Sequence, residues 1–187
     1  MSETRLRPDD WCEAALNAIA KDGIGAVAVE PIARSLQVSK GSFYWHFKNR
    51  DALLAAAVRR WEAVRTDEVI VALLEVTEPR ERLRATFAGA YGKPRASRIE
   101  AALVASRNDP IVAPVLRRVT KRRVAFLVDI FTALGFRPED AAHRASIAYG
   151  TYVGLSVMKY ANPAAVPSQY APTDAFLDDL VGLLTRA

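Results

Sequence analysis

The sequence predicts an all-α protein, with three short helices at the N-terminal end and a larger helical domain behind them. Three observations carry this. Apolar residues recur at three- and four-residue spacing, the interruptions are Gly and Pro, and no run of strand length alternates apolar with polar residues. With 187 residues, 51% of them hydrophobic, the chain can bury a sizeable core.

The elements follow in order. Asp9 and Asp10 are good N-cap types for a first helix whose face carries Trp11, Cys12, Ala15, Leu16, Ile19 and Ala20, and Gly23 supplies the stop. Pro31 suits the first turn of a second helix, with Ile32, Ala33 and Leu36 inward. Ser39 can cap a third helix running to about Phe47, with Phe43 and Phe47 facing inward. From Asn49 to Glu78 there is no Gly or Pro, and Leu53, Leu54, Ala57, Val58, Trp61, Val69, Ile70, Leu73 and Leu74 predict one long helix. Breaks at Pro79, Gly92 to Pro94, Pro110, Gly135 to Pro138 and Asn162 to Pro172 divide the remainder, for about nine helices in all. The division into domains falls at 1–48 and 49–187.

Composition narrows the function classes. One cysteine excludes an internal disulfide framework, and the first residues have no apolar stretch that could act as a secretion signal, so a reducing, cytoplasmic setting is expected. The longest uncharged run near the C-terminus, Ala145 to Met158, is shorter than the roughly 18 to 20 residues a membrane span needs. No GxSxG, P-loop or HExxH motif occurs, so no enzyme is predicted. His46 and His143 stand far apart and Cys12 belongs to a core stripe; neither a metal site nor a cofactor is predicted.

What stands out is the stretch from Val38 to Leu54. It packs Ser42, Tyr44, Trp45, His46 and Lys48 into a short helix with no acid between Val38 and Arg50, a composition suited to phosphate oxygens and base edges of double-stranded DNA. The net charge of +5 agrees, although residues 80–123 hold most of the excess, with 12 Lys and Arg against 3 acids. Phosphate contacts would therefore come from a few placed cations, Arg5, Arg7, Lys40, Lys48 and Arg50, and binding should be steeply salt-dependent.

Residues 8–54 resemble the DNA-binding domain of the TetR family of transcriptional regulators. The resemblance rests on a first helix ending at Gly23, Ile32 and Ala33 in the second, the run from Val38 to Phe47, and Lys48-Asn49-Arg50 before Leu53 and Leu54. It implies a helix-turn-helix domain with Ser39, Lys40, Gly41, Ser42, Tyr44, Trp45, His46, Lys48 and Arg50 at the DNA. It also implies a homodimeric one-component regulator, a repressor, that binds a palindromic operator and releases it when a small molecule enters the C-terminal domain. Three residues depart from the family pattern: Gln37 stands at a turn position usually held by glycine, Ala28 replaces a hydroxyl cap, and Glu30 puts an acid near the expected phosphate. Glu30 and the weak N-terminal charge also favour a rival reading, a helical ligand-binding or scaffold protein that has lost DNA binding.

The C-terminal part supplies two further expectations. Ile147, Thr151, Gly154 and Met158 share one helix face, and Phe176, Leu180 and Leu184 lie in a broad apolar stripe on the last helix, so a second copy of the chain should cover them. The pair Gly150 and Gly154 allows close helix approach across that interface or within one subunit. Trp61, Phe87, Tyr91, Phe126, Tyr149 and Tyr152 are either core or the walls of an effector pocket. Arg123 falls in the middle of an apolar stripe and must find an anion: an internal carboxylate, one from the partner subunit, or an acidic ligand.

Overall fold

Pro8 opens the first helix, α1 (Pro8–Asp22), because a proline at the first position gives up only an N–H that has no helical partner. The computed structural model describes residues 6–91, 94–162 and 173–186. Asp9 and Asp10 do not cap α1: Arg7 holds the N-cap position, and Asp10 accepts a 2.7 Å hydrogen bond from the Arg7 backbone N–H. Gly23, at φ 78°, ends the helix by donating to the Ile19 carbonyl, as its place in the sequence predicts.

A 3-10 turn (Ile24–Ala26) leads to α2 (Val29–Ser35), and Gln37 makes the turn into α3 (Lys40–Tyr44) at φ 58°. A side chain in that left-handed region costs about 1–2 kcal/mol, so the strain expected at Gln37 is present. α3 is shorter than its sequence suggests, and Ser39 occupies its N-cap without a side-chain hydrogen bond. Beyond Tyr44 the backbone stays wound, since the N–H groups of His46 and Phe47 both donate to the Phe43 carbonyl.

Asn49 caps α4 (Arg50–Glu62), its Oδ1 accepting from the Ala52 N–H at 2.9 Å. The long helix is not uniform as expected: a π turn (Ala63–Asp67) separates α4 from α5 (Glu68–Leu74). One extra residue in the turn shifts the buried face, so that Thr66 rather than Arg65 follows Trp61 into the interior. Then come α6 (Pro79–Tyr91), α7 (Pro94–Ala105), α8 (Val112–Ala133), α9 (Pro138–Ala161) and α10 (Asp174–Thr185). With α4 and α5 taken as one interrupted rod, the described residues form nine helices and no strand, the all-α class the periodicity predicts. Among them no helix is long and apolar enough to cross a membrane.

Two cores hold the helices. The first joins Trp11, Ile19, Phe43 and Leu54 to Leu103, Val112 and Val119 of α7 and α8. The second gathers Leu83, Phe87, Ile130, Phe131, Leu177 and Val181 from α6, α8 and α10. Because the first core continues past residue 48 into α4, α7 and α8, the three-helix unit is packed onto the larger domain rather than tethered to it. Ion pairs reinforce that seam: Arg60 of α4 reaches Asp9 and Glu13 of α1 at 2.9 and 2.8 Å, and Arg95 of α7 also reaches Glu13, at 2.9 Å.

Candidate functional site

The first candidate surface is built on α3. Phe43 and Phe47 anchor it from below, with the Phe43 ring edge-on to Trp11 at 5.4 Å and fully buried. Opposite them, Ser39, Lys40, Gly41, Tyr44, Trp45 and Lys48 are exposed, with Ser42 and His46 half-buried. Trp45 is 82% exposed and Tyr44 57%, so two large aromatics stand in water on a helix whose other face is core. A Cβ built on Gly41 would meet only the Ser39 Oγ, at 3.6 Å; the fold itself does not require glycine there.

Two of the expected DNA contacts are already engaged. Lys40 donates to Glu30 of α2 at 2.7 Å, an exposed pair in which each partner stabilises the other's charge: the Glu30 carboxyl lies below its ordinary range and the Lys40 ammonium above. Glu30 thus faces a cation of its own chain. Arg50 is half-buried, donating through Nε to the Val27 carbonyl at 3.1 Å and through Nη2 to the Ile24 carbonyl at 2.8 Å, while Nη1 pairs with Asp51. Its guanidinium therefore clamps the start of α4 to the turn before α2. Arg7 is exposed, and Arg5 lies outside the described residues.

The second candidate is a cavity of about 80 Å³ between the π turn, α5, α6, α8 and α9, with Phe87, Phe126, Arg123, Tyr149 and Tyr152 in its wall as the aromatic pattern allows. Trp61 is not in that wall: it is buried beneath Arg123, whose guanidinium lies 5.2 Å from its ring centre and 5.8 Å from that of Tyr152. Tyr91 ends α6, and its side chain lies outside the described residues.

Arg123 finds its anion inside the subunit. Glu100 of α7, 1% exposed, accepts from Nη1 through both oxygens at 3.0 and 2.9 Å. Nε donates to Thr66 Oγ1 at 3.0 Å and Nη2 to the Arg65 carbonyl at 3.1 Å, so Arg123 also pins the π turn. Burial works against its charge, but the Glu100 carboxylate outweighs burial and holds the guanidinium above its ordinary pKa. The Tyr152 hydroxyl donates to Glu100 at 3.3 Å, and burial first, then the Glu100 charge, raise the phenol. Glu100, Arg65 and Thr66 were not among the residues anticipated from sequence. Glu100 had a visible signal, a lone acid within the apolar run Ile99 to Leu103.

The expected pairing face is partly free. Ile147 is 60% exposed and Met158 50%, Gly154 is exposed with open space around it, and Thr151 turns its hydroxyl onto the Ile147 carbonyl. On α10, Leu184 is buried within its own subunit, because Leu177, Val181 and Leu184 form the face packed on the second core; Phe176 and Leu180 flank it, and Leu183 is the leucine left 62% exposed.

The match to a known family falls on the same N-terminal segment. Residues 12–57 fit the family of bacterial regulatory proteins called tetR, a span from α1 through the exposed α3 face into α4. That segment is similar to the DNA-binding part of TetR-type regulators. Over 53 residues the chain is 36% identical to the class A tetracycline repressor from Escherichia coli transposon 1721, a stretch equal to 28% of this chain and 24% of that repressor. The chain spans a quarter or less of the curated relatives it matches, at 24% and 16% of their lengths. Along the whole chain the likeness is one of fold. A transcriptional regulator from Rhodococcus sp. Rha1 superposes with a TM-score of 0.78 at 23% identity, covering 96% of each chain. AibR, solved with isovaleryl coenzyme A and operator DNA, gives 0.69 at 22% identity, covering 96% of this chain and 98% of its own.

Proposed function

We propose that the protein is a dimeric, one-component transcriptional repressor that reads a palindromic operator through residues 39–50 and releases it when a small molecule occupies the cavity behind the π turn. The observation that carries the reading is the α3 face. A five-residue helix anchored by Phe43 and Phe47 holds Trp45, Tyr44 and Lys48 in water beside a glycine that the fold does not need. Side chains of that chemistry suit phosphates and base edges, and Gly41 lets the duplex backbone come close. Arg50 serves this face by fixing the start of α4 behind it, and Lys40 works jointly with Glu30.

The exposed apolar side chains of α9, Ile147, Val157 and Met158, together with Leu183 of α10, form the face for the second subunit. In such a dimer the two α3 helices enter successive major grooves roughly 34 to 36 Å apart. The structural neighbour AibR was solved with both an acyl thioester and its operator, which supports coupling of a ligand cavity to DNA in this fold. The Glu30–Lys40 pair favours a second reading, a helical ligand-binding protein without DNA binding, because it neutralises one cation of the face.

Fluorescence anisotropy on labelled DNA from upstream of the protein's own gene decides between them. The expected result is salt-dependent binding, weakened on every sequence by Tyr44→Phe and by Lys48→Ala, with the salt slope falling by about 1 for the lysine variant. Identical titrations for the wild type and both variants would remove α3 as the reader.

A further inference from the structure

Arg65 lies in the π turn on the wall of the cavity, among Ile70, Phe87, Phe126 and Leu127. Unlike Arg123, it has no anion: among the described residues its guanidinium makes no hydrogen bond and no ion pair, although the side chain is half-buried. Burial lowers its pKa from the ordinary arginine value, and the Arg123 charge adds to the effect. The other polar groups of the wall have partners. Thr66 accepts from Arg123, Thr86 donates to the Arg82 carbonyl, Tyr149 shares a hydrogen with Thr120, and Tyr152 donates to Glu100.

The charges therefore do not cancel. Two guanidinium groups face one carboxylate, Glu100, whose oxygens both go to Arg123, and Asp67 of the same turn is taken by Arg122 at 2.9 Å. One positive charge is left over at an apolar wall, where an unpaired charge is unfavourable and a planar fork of donors is free to take a carboxylate bidentately. The open volume of about 80 Å³ has room for roughly five to eight groups the size of a water molecule, at about 10–15 Å³ each.

We infer that the cavity takes a small amphiphilic monocarboxylate, its head group on Arg65 and an alkyl tail of about two to five carbons against Phe87, Phe126 and Leu127. The inference names the ligand class of the cavity in the proposed regulator and rests on that reading only for the consequence at DNA. The carboxylate cancels the surplus charge, and the apolar wall, which has no free donor elsewhere among its described residues, takes the tail. An acyl thioester offers a neutral carbonyl instead and leaves Arg65 uncompensated.

Isothermal titration of the full chain tests this without DNA, so its outcome is independent of the anisotropy experiment. Hexanoate is expected to bind at least ten-fold more tightly than 1-hexanol at neutral pH, Arg65→Met to erase that difference, and Arg65→Lys to keep part of it. Equal affinity for acid and alcohol, no binding of either, an undiminished difference in R65M, or tighter binding of hexanoyl coenzyme A than of hexanoate would each overturn the inference. If R65M does not fold by circular dichroism, Arg65→Gln replaces it, and the comparison of acid with alcohol on the wild type stands on its own.

Discussion

Replacing Arg123 by methionine isolates the buried ion pair from the packing around it. Methionine keeps a flexible apolar stem against Trp61 and Tyr152, so the loss is that of the charge and of the hydrogen bonds to Thr66 and the Arg65 carbonyl. Glu100, its side chain 1% exposed against 14% for Arg123, would be left with the single 3.3 Å hydrogen bond from Tyr152. Removing one partner of such a pair costs about 3–5 kcal/mol, whereas removing both charges is far less harmful. At about 2–4 °C per kcal/mol for a chain of this size, the variant should melt roughly 6–20 °C below the wild type. Arg123→Met with Glu100→Gln should recover a substantial part of that loss.

The pH dependence provides an internal check. Without its cation, the Glu100 carboxylate is a buried charge with no counter-charge, so the deficit of the variant should be largest at neutral pH and shrink in acid. The single variant should therefore regain stability relative to the wild type on moving from neutral pH toward about 5, and the double variant should show no such recovery. Urea and thermal unfolding followed by circular dichroism measure both quantities. A single variant within about 1 kcal/mol of the wild type at neutral pH, or a double variant no more stable than the single one, would refute the account of this pair.

Three other outcomes follow from the geometry. Gly41→Ala should leave thermal stability unchanged or slightly raised, since the new Cβ meets only Ser39 Oγ at 3.6 Å, yet weaken operator binding in anisotropy; equal DNA affinity would mean that no duplex backbone approaches there. Deleting residues 173–187 should give monomer or aggregate in analytical ultracentrifugation, because Leu177, Val181 and Leu184 cover the second core; a soluble folded dimer would contradict this. Burial opposes the Glu13 charge, but hydrogen bonds from Arg60 and Arg95 prevail and hold its carboxyl below the ordinary value of 4.5. Its contribution is thus present at neutral pH and lost as pH falls through the lowered folded pKa, so Glu13→Gln should melt below the wild type at pH 7 and the two should converge in acid.

The helices were legible where a repeating face announced them and illegible where one residue changed the phase. Phe43 and Phe47 facing inward and Gly23 stopping α1 follow from spacing and from the left-handed backbone that glycine tolerates. The cap of α1 was misplaced because Asp9 and Asp10 can serve equally as first-turn acids, and Pro8 ahead of them settles the matter in favour of Arg7. The π turn carries no Gly or Pro, so punctuation could not reveal it. The available sign was Thr66, five residues after Trp61, where a regular helix would bury the fourth. Leu184 went to the wrong surface because a stripe on a terminal helix does not say which side meets the subunit's own core. Arg123 was recognisable as a cation that needs an anion, whereas nothing in the sequence around Arg65 marks it as part of a cavity wall.

That change of phase also bears on how the cavity could influence the α3 face. α4 is fixed at its start, where Asn49 caps it and Arg50 holds the Ile24 and Val27 carbonyls, and again further along, where Arg60 meets Asp9 and Glu13. Its last turn is held from the larger domain, Glu62 accepting from Arg118 at 2.9 and 2.6 Å. The three-helix unit and α4 are thus one packed body, and the first place where the rod is irregular is the π turn, held by Arg123 and carrying Arg65 at the cavity. A ligand that draws on Arg65 would act at that irregular turn. If the operator-bound and released forms differ at that turn, a difference in ligand affinity of about 1–3 kcal/mol between them changes DNA affinity by roughly 5- to 150-fold. Because α4 carries the three-helix unit with it, such a change alters the separation of two α3 helices in a dimer rather than the shape of either one, so the effector would act on operator spacing and leave each reading surface intact.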